Sequence, residues 1–219
     1  MTSFNAVEHK SSYFIAHPHR RLMIFIDNPY VYRYVKSRNI KISHKKLVDY
    51  LTFNAVDKYS LERVTIYGSI DRSTSPEKIR TQENFYRMLG RLPKFDVQLF
   101  DLKVNHDSKG EFVSKKEKCV DCALVTGLVK YAIRGTFDTA IVVAGDEDFI
   151  PAVREVIDQG LEVIIAAFDG ACAEKLIYHA LGYLSLTDNL NAFTENGNNS
   201  NPTYVSPLDC AIAPRYWCP

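Results

Sequence analysis

At 219 residues, with 46% hydrophobic and 24% charged residues and a formal net charge of +1, the chain has the make-up of an ordinary globular protein with one sizeable α/β core. No apolar run approaches the ~18 residues of a membrane span, and the run at residues 13–16 is too short for a signal-peptide core. No membrane partner and a cytoplasmic location are therefore expected. The five cysteines are odd in number and irregular in spacing, which excludes a disulfide framework.

Residues 1–19 read as an N-terminal extension, 20–187 as one domain, and 188–219 as a polar, flexible C-terminal tail. The first buried strand spans 21–27 (Arg-Leu-Met-Ile-Phe-Ile-Asp) and ends in an acid. Tyr30, Tyr32 and Tyr34 then alternate with Val31 and Arg33, and either stack unpaired bases beside the basic stretch or, the preferred reading, frame a turn against the core. Lys36, Arg38, Lys41, Lys45 and Lys46 follow with His44 and no acid among them. That run is either a solvated face at a helix start or a phosphate-contact surface.

A helix is expected over 43–59, capped by Ser43 and apolar at Leu47, Val48, Leu51 and Val56. A second strand follows at 62–70, then a polar loop at 71–74. Ser75-Pro76-Glu77 opens the next helix with a cap, a first-turn proline and an acid on the macrodipole. That helix ends at Gly90. A third strand is expected at 96–104, with a polar turn at 107–110 and a short extended piece near Phe112. A helix over 118–134, apolar on nearly every side, should be largely buried. Cys119 and Cys122 lie inside it and are read as core thiols.

The most informative stretch is Asp138-Thr-Ala-Ile-Val-Val-Ala-Gly-Asp-Glu-Asp-Phe149. Residues 140–144 form a buried strand that runs into Gly145-Asp146-Glu147-Asp148 and then a helix over 149–159 closed by Gly160. A further buried strand (161–167), a helix (171–181) and a last short strand (183–186) complete the pattern. Strands alternating with helices indicate a parallel sheet covered on both faces.

In such a sheet all strand C-termini open on one edge, where ligands bind. Asp27 ends the first strand and Asp146 follows the fourth. Asp148 lies two residues on, and Asp121 is an acid near the start of the apolar helix. Carboxylates crowded at one edge call for a cation between them, and a divalent metal with oxygen ligands is the usual candidate. A phosphatase of the haloacid dehalogenase type needs a second acid two residues after its nucleophilic aspartate, where this chain has Pro29.

Strand-Asp27-Asn28, Lys118 before Val120-Asp121, and Ala144-Gly145-Asp146-Glu147-Asp148-Phe149 together resemble the NYN domain, in particular its LabA-like branch within the PIN-like nuclease superfamily. The resemblance covers roughly residues 22–187. It implies a three-layer α/β/α sandwich with a mainly parallel sheet. It also implies an acidic cluster (Asp27, Asp121, Asp146 and Asp148) that holds Mg²⁺ or Mn²⁺ and hydrolyses RNA phosphodiesters. Asn28, Arg72, Thr74, Lys115, Lys116 and Lys118 would hold the substrate. A regulatory module that binds RNA or a protein partner with little or no catalysis is the alternative, and a homodimer is one assembly it allows. Two positions depart from the family pattern: Pro29-Tyr30 follows Asn28 where small residues are usual, and Gly127 stands where many relatives carry another acid.

Overall fold

The computed structural model describes residues 20–54, 59–106, 112–116 and 119–195, with 54, 103–106 and 112–116 placed by backbone alone. In chain order the strands are β1 (Arg20–Asp27), β2 (Tyr59–Ile70), β3 (Phe95–Asp101), β4 (Lys103–His106), β5 (Phe112–Lys116), β6 (Thr139–Val143), β7 (Glu162–Ala167) and β8 (Gly182–Ser185). The helices are α1 (Asn28–Ser37), α2 (His44–Asn54), α3 (Pro76–Leu89), α4 (Val120–Ile133), α5 (Ile150–Asp158), α6 (Glu174–His179) and α7 (Leu190–Phe193).

Six strands form one parallel sheet in the order β3-β2-β1-β6-β7-β8, while β4 and β5 form a separate antiparallel hairpin. The chain steps outward from β1 to β3, returns, and then steps outward the other way from β6 to β8. The strand order therefore reverses between β1 and β6. At such a switch point the following connections diverge to opposite faces and leave a crevice at the C-terminal edge.

The two faces can be told apart on β2 because side chains alternate along a strand. Tyr67 meets α4 at Gly127, while its neighbour Gly68 lies against the Tyr86 ring of α3. Helices α2 and α3 share a face, joined by an edge-on contact between His44 and Phe85. Helix α4 packs on β1 and β2 from the other side, with α5 beside it. The result is the expected α/β/α sandwich. Every residue of β6 is buried, as a central strand covered on both faces requires. Among the described residues, no helix is long and apolar enough to cross a membrane.

Several elements differ from the sequence expectation. The tyrosine-rich segment is a helix, α1, not a turn. Asp27 caps it, Pro29 occupies the first turn, and Tyr30, Val31, Tyr34 and Val35 are buried at helical spacing. Only Tyr32 points outward. Pro29 thus starts a helix. Helix α2 ends at Asn54, and β2 begins at Tyr59. The expected third strand stops at Asp101, and residues 103–104 belong to the hairpin.

Helix α4 buries Val120, Leu124, Gly127, Leu128 and Ala132, but leaves Ile133 69% exposed on its outer side. Cys119 and Cys122 are exposed, not core thiols. Cys119 precedes the helix as its N-cap, in the left-handed region with a φ of 73°. Part of the expected tail is packed: α7 lies on α2, with Phe193 fully buried and Ser43 N–H donating to its carbonyl at 2.8 Å.

Gly127 has a steric reason. A Cβ there would lie 2.0 Å from the Tyr67 hydroxyl, which is fully buried and has no hydrogen-bond partner. Helix and strand approach too closely for a side chain. Gly127→Ala should therefore cost about 1–3 kcal/mol in denaturant unfolding, despite the better helix propensity of alanine. In a Tyr67→Phe background the nearest contact becomes a ring carbon at 3.2 Å, so most of that cost should disappear. Tyr67→Phe alone should be neutral or stabilising, since it removes an unsatisfied hydroxyl.

Candidate active site

Strands β1 and β6 run side by side in register, with Ile26 opposite Val143. Their next residues therefore reach the sheet edge together. Asp27 is buried, and its carboxylate accepts from the Tyr30 N–H at 3.2 Å, closing the first turn of α1. The positive end of the helix offsets the cost of burying this charge.

Beyond β6 the chain passes through Gly145. A Cβ there would lie 2.4 Å from the Ala171 carbonyl and 2.6 Å from the Tyr30 ring. The Gly145 carbonyl in turn accepts from Ala173 N–H at 2.9 Å, strapping this segment to the loop after β7. Asp146 then accepts from the Asp148 N–H at 3.0 Å and opens a single 3-10 turn, Glu147–Phe149. Phe149 is fully buried and anchors the turn, so Asp146 and Asp148 are left at the surface.

Asp121 stands in the first turn of α4. Partial burial, and then the charge of Asp146, hold its carboxyl above the ordinary carboxylate range; Asp148 adds to this and Arg33 opposes it. Asp121, Asp146 and Asp148 thus share one electrostatic neighbourhood, and Arg33 contributes positive charge to it. Arg33 was missed as a site residue because the segment was read as a turn. The signal was present: with Asp27 as cap and Pro29 behind it, Arg33 falls on a helix face.

The remaining expected residues are placed differently. Asn28 is buried, its amide donating to the Tyr86 hydroxyl at 2.8 Å. In this orientation its oxygen accepts from His44 Nε2–H at 2.6 Å, which leaves His44 Nδ1 without a partner. Asn28 therefore ties α1 to α2 and α3 rather than facing a substrate. Burial pushes the His44 imidazole down to about 4, so it is neutral and not part of a cationic surface.

Arg72 is bound to Glu83 and, at 2.9 Å, to Asp101. The Thr74 hydroxyl donates to the Asp71 carbonyl at 3.0 Å. Lys115 and Lys116 lie on β5 opposite Val104 and Lys103, and Lys118 lies outside the described residues. Gly127 faces Tyr67 and the sheet, so an acid at that position would meet the core.

The donor chemistry suits a hard divalent cation, since Asp121, Asp146 and Asp148 are all carboxylates, and partial burial with the charges of the other two raises the proton affinity of Asp121. Among the described residues, however, no three His, Cys, Asp or Glu side chains are drawn together closely enough to hold a metal ion.

The family model for the NYN domain matches residues 21–187. The chain belongs to the NYN domain family. NYN domains are part of the PIN-like nuclease superfamily, whose members generally use divalent metals. No curated protein gave a significant match. Among solved structures, a Vibrio parahaemolyticus protein of unknown function matches with a TM-score of 0.58 at 17% identity, over 82% of this chain and 98% of that one. At that identity the likeness speaks for the fold. The matched NYN region runs from the start of β1 to the end of β8, and so contains all four candidate acids.

The raised proton affinity of Asp121 has a consequence for stability. The folded state binds that proton more tightly than the unfolded chain, so ionised Asp121 destabilises the fold at neutral pH. Asp121→Asn should raise the melting temperature of the metal-free protein at pH 7. The gain should shrink as the pH falls through the raised pKa and vanish below about 3.8, where both states are protonated. Thermal unfolding of parent and variant between pH 3.5 and 7 (about four points) checks the sign.

Proposed function

We propose that this NYN domain is a metal-dependent ribonuclease of the LabA-like branch, hydrolysing RNA phosphodiester bonds with Mg²⁺ or Mn²⁺. The reading is supported by the electrostatic coupling of Asp121 to Asp146 and Asp148, with Asp27 ending β1 at the point where the strand order reverses. Asp121, Asp146 and Asp148 would hold the cation, with Asp27 behind them. When bound, the cation would polarise the phosphoryl oxygens as a Lewis acid and promote attack by water.

The chain's own groups then divide the work. Arg33 offsets the negative field of the acids, so that a phosphate can approach them. The cap made by Asp146 fixes the 3-10 turn and with it the position of Asp148. Asp121, whose proton affinity is raised in the metal-free protein, would give up that proton as the cation binds. An in-line displacement breaks one P–O bond as the new one forms. No covalent intermediate on the protein is needed.

Two observations favour the regulatory alternative. Asp27 is engaged as a helix cap, and no three ligands are gathered among the described residues. The two readings separate on incubation of the full chain with labelled single-stranded and structured RNA in Mg²⁺, Mn²⁺ or chelator. The nuclease reading expects cleavage that needs metal and falls by about 100-fold or more in Asp121→Asn and in Asp146→Asn. RNA binding without metal-dependent cleavage would leave the regulatory module.

A further inference from the structure

A cleft of about 340 Å³ opens between α1 and the segment carrying Asp146. Its far wall is Gly145, Asp146 and Ala171, and its near wall carries Arg33, Ser37 and Arg38. The Arg38 guanidinium lies over the Tyr34 ring, 3.8 Å from its centroid. Tyr34 is itself stacked on Phe168, with centroids 3.7 Å apart and planes 7° from parallel. The three groups form a layered stack at the end of α1. One terminal nitrogen of Arg38 also donates to Ser37 Oγ at 3.1 Å, and Ser37 donates to the Tyr34 carbonyl at 2.8 Å.

We propose that Arg38, held by this stack, is a phosphate subsite for single-stranded RNA and grips a backbone phosphate next to the scissile one. The inference rests on the nuclease reading of the acids and extends it along the strand. Four observations carry it. Arg38 is exposed, lines the same cleft as Asp146, and is pinned on one face and at one nitrogen. A guanidinium fixed in this way loses little side-chain freedom when its remaining N–H groups grip a phosphate.

The second observation is that both faces of Tyr34 are covered and it is only 6% exposed, so the stack offers no platform for a base. The ligand chemistry is therefore that of the backbone. Third, α1 ends here, and its terminal carbonyls alone would repel an anion; Arg33 and Arg38 on that wall reverse the sign. Last, the basic run seen in the sequence divides. Lys45 pairs with Asp49 at 2.7 Å, and Lys46 donates to the Thr194 carbonyl at 3.3 Å. Arg38 is the member of that run at the cleft.

The test is equilibrium binding of fluorescently labelled single-stranded RNA to the full chain in chelator, across a salt series, alongside metal-dependent cleavage. Arg38→Gln keeps a polar cover on Tyr34 without charge, and Arg38→Lys keeps the charge without the fork. Lys45→Ala is the surface control. Arg38→Gln should weaken binding about 10-fold and lower the log–log salt slope by roughly one. Arg38→Lys should keep the slope but not the affinity. Lys45→Ala should change neither, and all variants should melt with the parent.

If the parent cleaves RNA and Arg38→Gln binds as tightly as Lys45→Ala, the subsite is wrong and the nuclease reading stands. Failure of the parent to bind RNA would overturn both. Displacement of the RNA by polyglutamate of matched charge as effectively as by RNA would also overturn the subsite, since it would reduce Arg38 to a general anion contact.

Discussion

The pairing of β1 with β6 is the constraint on which the rest depends. It joins the two halves of the sheet at the point where strand order reverses, and both strands run the same way, so both deliver their C-terminal ends to one edge. The connections that leave that edge separate, one into α1 and the other through Asp146 into α5. A crevice remains because neither connection can cover it. Gly145 brings the walls together. Without a Cβ, the chain passes between the Tyr30 ring and the Ala171 carbonyl, at distances no other residue would allow.

Two kinds of polar burial support this edge, and they act differently. Asp27 turns its charge toward the N–H groups of α1 and so fixes the helix direction. Asn28 joins the helix start to His44 and Tyr86, tying it to α2 and α3 through neutral hydrogen bonds. The first turn of α1 is thus held from both sides, and the helix runs from it as a rod. Arg33, Ser37 and Arg38 reach the cleft because that rod is anchored at Asp27 and Asn28 and stacked through Tyr34 on Phe168.

The acids that face solvent are in the opposite situation. Partial burial and then the charges of Asp146 and Asp148 raise the cost of ionising Asp121, and Arg33 offsets only part of it. A binding edge that tolerates like charges gives up stability for the capacity to attract a cation. The core bears this readily, since β6 and most of β1 are fully buried.

The parallel α/β plan and the central strands were legible in the sequence. Buried strands read as continuous apolar runs, and strand ends followed by Gly or Asp are local signals. The sequence did not yield α1, because tyrosines alternating with valine and arginine fit a period of two as easily as a helical one. Only packing against Phe168 and the cap at Asp27 decide between them. Nor did it separate His44 from the lysines around it, since burial of one imidazole depends on Asn28 and Phe85 from distant segments. The exposure of Cys119 and Cys122 and the outward apolar side of α4 have the same origin. An apolar helix records that it can be buried, not which of its sides another element covers. Tertiary structure alone decided that Arg33 joins the acids and that Gly127 faces Tyr67, because both depend on distances between elements far apart in the chain.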